Sequence, residues 1–473
     1  MANHYNLNIL KRQYDKATQT AVGVILVGDS RSTHADNRVP GQVRRCFAVK
    51  HAALVQTPTA SFVGVADGCG ELSPNLGAQD VSLYQQLPGN NTNAAFAVVN
   101  RWPNSINHLV CGASAPTNLW IQRASTMHMS SAGFDMRLNA STASGGSFKL
   151  GDPAQGRAVS GVKLFILKDD TTEHLDPALQ YGFNGTIAGG DRTTTNTPTS
   201  GSAGGVIQVR EHTGPNTGGV DFRIGMNFGV NGSSFANRTL SWFGARVDYT
   251  GGKGIILASV SQGGWNTRSH LGTTVYTEDD NPYTDFTDAN GAKYSNTQAV
   301  EWLQKIIGTT TYILRVEIGA NIAAGSGFAE TGGEDDIGVY RDNLSEVLVR
   351  WIQILSDAGA TDVVIELVGI WQTANSADTR SPALNAVLRA VAEEMDNEYA
   401  GVRVCFYDQL GAFQEAGLCT GVAVDSAAWT SDGVHQNFNG MVKFGDVEWA
   451  AIQRASPSMR ARDRMGGRRG LGP

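Results

Sequence analysis

The sequence predicts an α/β protein with a parallel sheet, interrupted after its first strand by a large β-rich insert. Three observations predict this class. Short apolar runs bounded by turn residues occur near the start of the chain and again in its second half. In the second half, helical patterns alternate with these runs, which is typical of a parallel sheet. The middle of the chain lacks that alternation and is rich in Gly, Ser, Thr and Asn.

The first predicted strand covers residues 21–27, AVGVILV, and stops abruptly at Gly28-Asp29-Ser30. A short and nearly continuous apolar run is typical of a strand that is buried on both faces of a parallel sheet. Four later runs have the same character, and they cover residues 254–260, 312–318, 362–370 and 402–407. We expect these five strands to form the sheet.

Helical patterns occupy the stretches between and after the later strands. They cover residues 297–307, 340–356, 382–395 and 439–452. In the second of them the apolar residues fall on one stripe of a helix. These residues are Leu344, Val347, Leu348, Trp351, Ile352 and Leu355. The third has Pro382 near its start, where proline is favoured.

The insert is predicted to be a β-sandwich-like domain. Its strand candidates are separated by turn residues, which is the texture of a β-sandwich. They cover residues 161–167, 205–209, 220–227 and 240–249. No repeat of fixed period indicates a solenoid or a propeller.

The chain is expected to divide into four parts. Residues 1–34 and 251–456 form the two pieces of the α/β core, and residues 35–250 form the β-rich insert, a candidate interaction domain. Residues 457–473 form a flexible tail that is rich in Arg and Gly. A frayed terminus is the simpler interpretation of this tail. A tether to an acidic partner surface is the alternative.

Composition disfavours several classes of protein. Of the 473 residues, 41% are hydrophobic and 17% are charged, which indicates a folded chain. The formal net charge of -7 disfavours nucleic acid as a partner. The five cysteines include no C-x-x-C pair, so we expect free, mostly buried thiols and no zinc site. Neither a signal peptide nor an apolar run of membrane-spanning length is evident, so we expect a soluble protein made in the cytoplasm.

Two short motifs carry residues suited to nucleophilic catalysis. Ser30 follows the first strand directly, and ligands bind at the carboxyl ends of strands in open α/β sheets. Near the other end of the chain, Asp432 precedes His435 by three residues. A nucleophilic serine needs such a base, and the base needs a third group to orient it. Taken singly, Ser30 can equally be a helix cap, and the Asp-x-x-His motif can be a surface turn. Together they predict a catalytic triad.

These motifs, in this order and at these ends of the chain, resemble the SGNH hydrolases, also called GDSL esterases. Gly28-Asp29-Ser30 matches the first block of that family, and Asp432-Gly433-Val434-His435 matches the last. The resemblance implies a flavodoxin-like, three-layer α/β/α core. It also implies an oxyanion hole, which the N–H groups of Ser30 and Gly264 and the side chain of Asn321 would form. Gly264 follows the second core strand, and Gly319-Ala320-Asn321 follows the third.

The chain departs from the family pattern beside two of these blocks. Arg31 stands where the family usually has an apolar residue, and Ile322 stands where the third block often has Asp. Arg31 is therefore a candidate for binding an anionic group of the substrate. Trp265 and Asn266, directly after Gly264, are further candidates for substrate binding. Trp265 is predicted either to stack on a sugar ring or to pack in the core.

Two other histidines are alternatives for the catalytic base. His34 lies four residues after Ser30, where a rim or surface position is favoured, and His270 follows the Gly264 block, where it is expected to line the cleft. The sequence contains neither a His-Glu-x-x-His motif nor a phosphate-binding Gly-x-x-x-x-Gly-Lys-Ser/Thr motif. No metal and no other cofactor is therefore expected.

These residues predict an ester hydrolase that works through an acyl-enzyme. The resemblance implies a carbohydrate O-acetyl esterase that acts on an acetylated polysaccharide, since family members with an added β-sandwich often do so. The alternative is a structural or adhesive module of a virion or tail-like assembly, whose insert binds glycan with or without esterase activity. Acyl transfer to another alcohol would use the same residues. A homo-oligomer or a larger assembly is compatible with each of these functions.

Overall fold

The computed structural model describes an α/β core and a set of strands between residues 61 and 249. The described residues are 2–29, 31, 61–63, 96–98, 110–111, 119–123, 134–138, 144–150, 158–168, 178–183, 206–217, 220–227, 238–249, 254–261, 266–271, 296–320, 337–373, 380–399, 401–421, 423–430, 436 and 438–455.

Strands and helices are numbered here along the chain. The strands are β1 (Ala21–Gly28), β2 (Ser61–Val63), β3 (Phe96–Val98), β4 (Val110–Cys111), β5 (Leu119–Arg123), β6 (Phe134–Leu138), β7 (Ser144–Leu150), β8 (Val159–Lys168), β9 (Ala178–Phe183), β10 (Val206–Thr217), β11 (Val220–Asn227), β12 (Arg238–Tyr249), β13 (Gly254–Ser261), β14 (Thr311–Glu317), β15 (Asp362–Val368), β16 (Gln372–Thr373), β17 (Val402–Tyr407), β18 (Cys419–Thr420) and β19 (Ala423–Val424). The α-helices are α1 (Leu7–Asp15), α2 (Thr267–His270), α3 (Asn296–Trp302), α4 (Ile337–Asp357), α5 (Ser381–Glu398), α6 (Gln409–Glu415), α7 (Ser426–Trp429) and α8 (Phe438–Arg454). A 3₁₀ turn, Lys16–Thr18, follows α1, and a π-helical turn, Leu303–Ile307, follows α3.

The core is a five-stranded sheet in the order β13-β1-β14-β15-β17, and every neighbouring pair is parallel. Numbered along the chain, these core strands have the order 2-1-3-4-5, which is the flavodoxin-like arrangement. The predicted parallel sheet and its five strands are therefore confirmed. β1 lies inside the sheet, and its residues from Val22 onward are buried, as its continuous apolar sequence predicts.

Helices cover both faces of this sheet. α4 packs against α3 and α5, and α5 contacts β15 and β17. The crossovers from β13 to β14, from β14 to β15 and from β15 to β17 all run in the same direction, so right-handed connections place α3, α4 and α5 on one face. α1 and α8 pack together on the face that carries Arg315 and Glu366. The three-layer α/β/α core implied by the resemblance is thus present.

The predicted helices are observed as α4, α5, α8 and α3 with its π-helical extension. In the stripe predicted for α4, Ile352 is only half-buried, and Ile354 is fully buried instead. α1 was not predicted. Its Leu7, Leu10 and Tyr14 are buried at helical spacing, although polar residues separate them in the sequence.

Two further sheets lie between β1 and β13 in the sequence. One has the order β10-β8-β12-β6-β5-β3, with β2 also paired to β12, and the other has the order β4-β7-β11-β9. Every pair in them is antiparallel except β3 with β5. The four strands predicted here correspond to β8, β10, β11 and β12. A β-rich insertion after the first core strand is therefore confirmed, whereas its sandwich packing and the domain boundaries stay predictions.

A cluster of buried charges joins β14, β15 and α8. Arg315 forms a bidentate ion pair with Glu448 of α8. Its Nη1 also donates to Oε2 of Glu366 at 2.9 Å, and its Nη2 lies 3.8 Å from Glu317. We call Arg315, Glu317, Glu366 and Glu448 the central charge cluster. The sequence did not predict it, because both strands read as apolar runs.

The central charge cluster sets three carboxyl groups against one guanidinium. Burial raises the pKa of Glu366 to about 8, and the neighbouring charge of Glu448 adds to the rise, whereas Arg315 opposes it. Oε1 of Glu366 is buried and has no hydrogen-bond partner in the described part of the chain. Burial and the neighbouring carboxylates therefore favour the protonated form of Glu366.

The two described cysteines are free thiols, and the described helices differ from membrane spans in length or apolar character. Cys405 is a buried free thiol, as predicted, and Cys419 is a free thiol that is half-buried. Among the helices that the structure describes, none has the length and apolar character needed to cross a membrane.

Candidate active site

Three neighbouring strands end at the same level on the carboxyl edge of the sheet. Gly28, the last residue of β1, pairs with Ser261 of β13 on one side and with Glu317 of β14 on the other. In a sheet of this order, the switch point lies between the first and third core strands, and ligands bind outside the carboxyl ends there. In this chain that point lies between β1 and β14.

Asp29 connects the segments that follow β1 and β14. Its Oδ1 accepts a hydrogen bond from the backbone N–H of Arg31 at 2.9 Å, and its Oδ2 accepts one from the backbone N–H of Ala320 at 3.1 Å. Asp29 is only 1% exposed, and burial raises the pKa of its carboxyl, whereas the charge and N–H of Arg31 oppose the rise. The sequence did not predict the contact of Asp29 with Ala320.

The segment after β14 also depends on a glycine. Gly319 has a φ of +131°, in the region that only glycine adopts readily. A Cβ atom at this position would lie 2.4 Å from Cδ1 of Ile370. Gly319 therefore lets the chain turn at the end of β14 while the segment after β15 packs directly against it.

His270 supports the same edge from the β13 side. Its Nε2 lies 3.2 Å from the carbonyl oxygen of Gly28. Because a carbonyl only accepts, Nε2 carries the proton and donates it. His270 is fully buried, and burial lowers the pKa of its imidazole to about 3. Its backbone carbonyl accepts a 2.5 Å hydrogen bond from Nη1 of Arg350 on α4. These contacts suit a structural support of Gly28 rather than a base in the cleft.

Arg31 reaches the segment after β15. Its Nη1 donates to the backbone carbonyl of Trp371 at 2.6 Å, and its Cζ lies 4.0 Å from the centroid of the Trp371 ring. Arg31 is 3% exposed and Trp371 is fully buried. The expectation that Arg31 binds an anionic group of the substrate is not supported by this internal position. Trp371 was not singled out in the sequence, where it only follows an apolar run.

α8 runs with its first residue toward the carboxyl edge of the sheet. Phe444, in its first half, packs edge-on against Trp371, beyond the carboxyl end of β15, with ring centroids 5.3 Å apart. Glu448, one turn later, binds Arg315 within β14. The helix therefore begins at the same edge where β1, β13 and β14 end.

A short bridge joins the residues on either side of the segment before α8. Thr430 and Gln436 form an isolated antiparallel bridge, which brings together the two ends of the 431–435 segment. A Cβ atom on Gly440 would lie 2.2 Å from the carbonyl oxygen of Trp429, so glycine is needed for the close approach of α8 to α7. The loop that carries the Asp-x-x-His motif thus begins and ends beside the first turn of α8.

The predicted triad and the oxyanion residues lie outside the described residues: Ser30, Gly264, Asn321, Asp432 and His435. The same holds for Trp265, His34 and Ile322. Their neighbours in the sequence are described. Asp29 and Arg31 flank Ser30, and Ala320 precedes Asn321. The hydrogen bond from Ala320 to Asp29 therefore joins two segments that carry proposed site residues.

Asn266 is the other described candidate for substrate binding. It lies directly before α2 and is 4% exposed. A side chain so enclosed favours an internal role over contact with a polysaccharide. Among the residues that the structure describes, no group of three or more His, Cys, Asp or Glu side chains is arranged to hold a metal ion.

No family model matches this chain, and no curated protein matches it in sequence. Several solved structures are similar to it. A peptidoglycan O-acetylesterase aligns with 94% of this chain and 95% of its own, at 10% identity and a TM-score of 0.47. A family two carbohydrate esterase from Clostridium thermocellum aligns with 68% of this chain and 93% of its own, at 8% identity and a TM-score of 0.28.

An acetyl xylan esterase from the rumen bacterium Butyrivibrio proteoclasticus is also similar. It aligns with 70% of this chain and 92% of its own, at 8% identity and a TM-score of 0.25. At such identities and TM-scores the similarity does not assign an activity to this chain. The motifs and the geometry of the carboxyl edge are the features that indicate an activity.

Proposed function

We propose that this chain is a serine ester hydrolase, with Ser30 as nucleophile, His435 as general base and Asp432 as the group that orients His435. The observation that carries the proposal is the hydrogen bond between Asp29 and Ala320 at the switch point of the sheet. It joins the residue before Ser30 to the residue before Asn321. A nucleophile and an oxyanion donor are needed at just such adjacent positions.

The direction of α8 supports the position proposed for the base. Because this helix begins at the carboxyl edge, the loop that precedes it starts from the same edge as the loop after β1. Residues 30 and 435 are far apart in the sequence, yet each lies within three residues of an element that ends or begins there. A serine and a histidine need this proximity to share a proton.

The proposed reaction begins with proton transfer. His435 accepts the Ser30 hydroxyl proton while Oγ bonds to the carbonyl carbon of the ester. The carbonyl oxygen becomes an oxyanion, which accepts hydrogen bonds from the backbone N–H groups of Ser30 and Gly264 and from the side chain of Asn321. The carbon–oxygen bond to the leaving alcohol then breaks, and His435 donates its proton to that alcohol.

Water completes the cycle in the proposed mechanism. His435 accepts a proton from water while the water oxygen bonds to the acyl carbon of the acyl-enzyme. The bond to Ser30 Oγ breaks, the acid leaves, and the proton returns from His435 to the serine. Every proton in this sequence is carried by the triad, so the chemistry is complete without a cofactor.

For the substrate we propose an O-acetyl group on a carbohydrate. The resemblance to SGNH hydrolases with an added β-sandwich implies this class. Trp265, next to the proposed oxyanion residue Gly264, would supply an aromatic face for a sugar ring. The internal positions of Arg31 and Asn266 leave Trp265 as the remaining candidate of the three for direct contact.

The test is hydrolysis of a short chromogenic acetyl ester by the wild-type chain, Ser30→Ala and the control variant Ser32→Ala. We expect Ser30→Ala to lower kcat by about 10⁴-fold or more, because the nucleophile is lost, and Ser32→Ala to retain most of the activity. Acetate release from acetylated xylan and from O-acetylated peptidoglycan then tests the proposed substrate class.

Equal activity in the wild-type chain and Ser30→Ala would contradict the assignment of the nucleophile. A folded wild-type chain that cleaves no acetyl ester would contradict the esterase proposal. In that outcome the structural or adhesive alternative is examined next, by a glycan-binding screen of the full chain. Cleavage of the small ester without acetate release from either polymer would contradict only the proposed preference for a polysaccharide.

A further inference from the structure

Arg31 contacts Trp371 in two different ways. Its guanidinium carbon lies 4.0 Å from the centroid of the Trp371 ring, within the range of a cation–π contact, and Nη1 donates to the Trp371 carbonyl. Its backbone N–H donates to Asp29. The backbone of Arg31 is therefore bound to Asp29, and its side chain is bound to the segment after β15. These contacts fix the two residues that flank residue 30.

Trp371 is itself fixed from two directions. The preceding residue, Ile370, is bound through both backbone groups by the Asn385 amide of α5: its N–H donates to Oδ1 at 2.6 Å, and its carbonyl accepts from Nδ2 at 2.9 Å. The indole ring packs against Phe444 of α8 and Phe413 of α6. Phe413 and Phe444 stack on each other with centroids 4.2 Å apart. Trp371 is thus a rigid point of attachment.

We propose that Arg31 is a positioning residue that locks the nucleophile loop, residues 29–31, onto Trp371 and through Trp371 onto α8. This inference rests on the proposed function, since it assigns a role within the same site. The link from Arg31 to Trp371 to Phe444 joins the loop that carries Ser30 to the helix that follows His435. It sets the distance between nucleophile and base without touching the substrate.

The chemistry of arginine explains why this residue type suits the position. A planar guanidinium can stack on an aromatic ring and donate a hydrogen bond in its own plane at the same time. A lysine ammonium can make either contact, but it has no plane that satisfies both. An apolar residue here would pack on Trp371 but would leave its carbonyl without this donor.

The experiment measures kcat and KM on the chromogenic acetyl ester for the full chain with Arg31→Met and Arg31→Lys. Misplacement of a reacting group by about 1 Å lowers the rate on the order of 100-fold, so we expect that fall in kcat for Arg31→Met. We expect its KM to stay within about twofold of wild type, since a positioning residue contributes no uniform binding energy. Arg31→Lys should recover part of the lost kcat. The rate of covalent labelling by a serine-directed organophosphonate should fall in parallel.

The matched control is Arg403→Met. Arg403 lies at the amino end of the sheet, where Nη2 donates to Asp362 at 2.6 Å and to Gln13 at 3.0 Å. Arg403 is less buried than Arg31, with 35% of its side chain exposed, but this variant likewise removes an arginine that donates hydrogen bonds, and it should keep the wild-type kcat. A similar fall in kcat for Arg403→Met would show a general effect of instability and would overturn the proposal.

The remaining outcomes are decisive as well. A rise in KM with unchanged kcat for Arg31→Met would assign Arg31 to substrate contact and overturn the positioning role. If Arg31→Met does not fold, Arg31→Lys decides: a kcat within about twofold of wild type overturns the proposal, and a fall of tenfold or more at an unchanged Tm supports it. An inactive, folded wild-type chain overturns the proposed function together with this inference. An active wild-type chain beside a fully active Arg31→Met overturns this inference alone.

Discussion

Buried carboxyl groups lie at two places against the same sheet, and their charges are balanced in different ways. At the carboxyl edge, Asp29 accepts from two backbone N–H groups that belong to different loops. In the middle of the sheet, the central charge cluster sets Glu317, Glu366 and Glu448 around the single guanidinium of Arg315. Burial raises the pKa of Asp29 and of Glu366 alike.

The difference separates two structural tasks. Backbone donors cannot rotate away, so Asp29 fixes the relative position of two chain segments at the proposed active site. Side-chain partners leave the central charge cluster with more carboxyls than cations, so it fixes α8 to the sheet and also retains a proton. Substitutions in the two places should therefore differ in whether they change catalysis, stability or the pH dependence of stability.

The largest loss of stability is expected from Arg315→Met. This change removes the cation and leaves three buried carboxyls without it, which typically costs about 3–5 kcal/mol for a broken buried pair. Chemical denaturation monitored by circular dichroism would measure the free energy of unfolding. The control is Arg341→Met, because the Arg341–Glu394 pair is about half exposed, with side-chain exposures of 48% and 47%, and should change the Tm little. Equal effects of the two changes would contradict the central role of Arg315.

Asp29→Asn is expected to lose less stability than Arg315→Met but to lose more activity. The amide keeps the size of the carboxylate but presents one acceptor oxygen, so one of its two N–H partners loses its acceptor. We expect about 1–3 kcal/mol of destabilisation for that unpaired group. We also expect kcat on the acetyl ester to fall about 10- to 100-fold through misplacement of residue 30.

Asp396→Asn is the matched control for Asp29. Asp396 also accepts a backbone hydrogen bond, from the N–H of Val404 at 3.0 Å, and it accepts side-chain hydrogen bonds from Asn6 Nδ2 at 2.9 Å and from the Tyr5 hydroxyl at 3.1 Å. It lies on α5, away from the proposed site. It should lose stability and keep the wild-type kcat. An unchanged kcat for Asp29→Asn would show that the link between Asp29 and Ala320 does not position the nucleophile.

An effect that depends on pH is expected from Glu366→Gln. The folded-state pKa of about 8 lies above the unfolded value of 4.5, so the folded chain binds the extra proton between these values. The free energy of unfolding that Glu366 contributes therefore falls as pH rises from about 5 to about 8. Glutamine does not titrate, so the Tm of Glu366→Gln minus the Tm of wild type should increase as pH rises over this range.

Thermal unfolding of both proteins at several pH values measures that difference directly. Groups that titrate equally in the two proteins do not contribute to that difference in Tm. A difference for Glu366→Gln that is flat from pH 5 to pH 8 would mean that Glu366 is ionised throughout this range in the folded chain, which would contradict its raised pKa.

The core of the fold was predictable because its signals are local. Continuous apolar runs identify β1, β13, β14, β15 and β17, since strands buried on both faces need apolar side chains at every position. The stripe at helical spacing identifies α4 in the same way. α1 was missed because a short helix with few apolar residues gives only a weak periodic signal.

The sequence by itself determined the class of the fold, the order of its elements and the two motifs that suggest an esterase. Only the tertiary structure decided that Asp29 meets Ala320, that Arg31 meets Trp371 and that Arg315 meets Glu448. These partners are separated by 291, 340 and 133 residues, so their contacts follow from strand order and helix direction. Periodicity reports which face of an element is buried, but it carries no information on which distant residue shares that face. The arginine beside Ser30 was therefore a candidate ligand contact in the sequence and became a buried support only when the segment after β15 was packed against it.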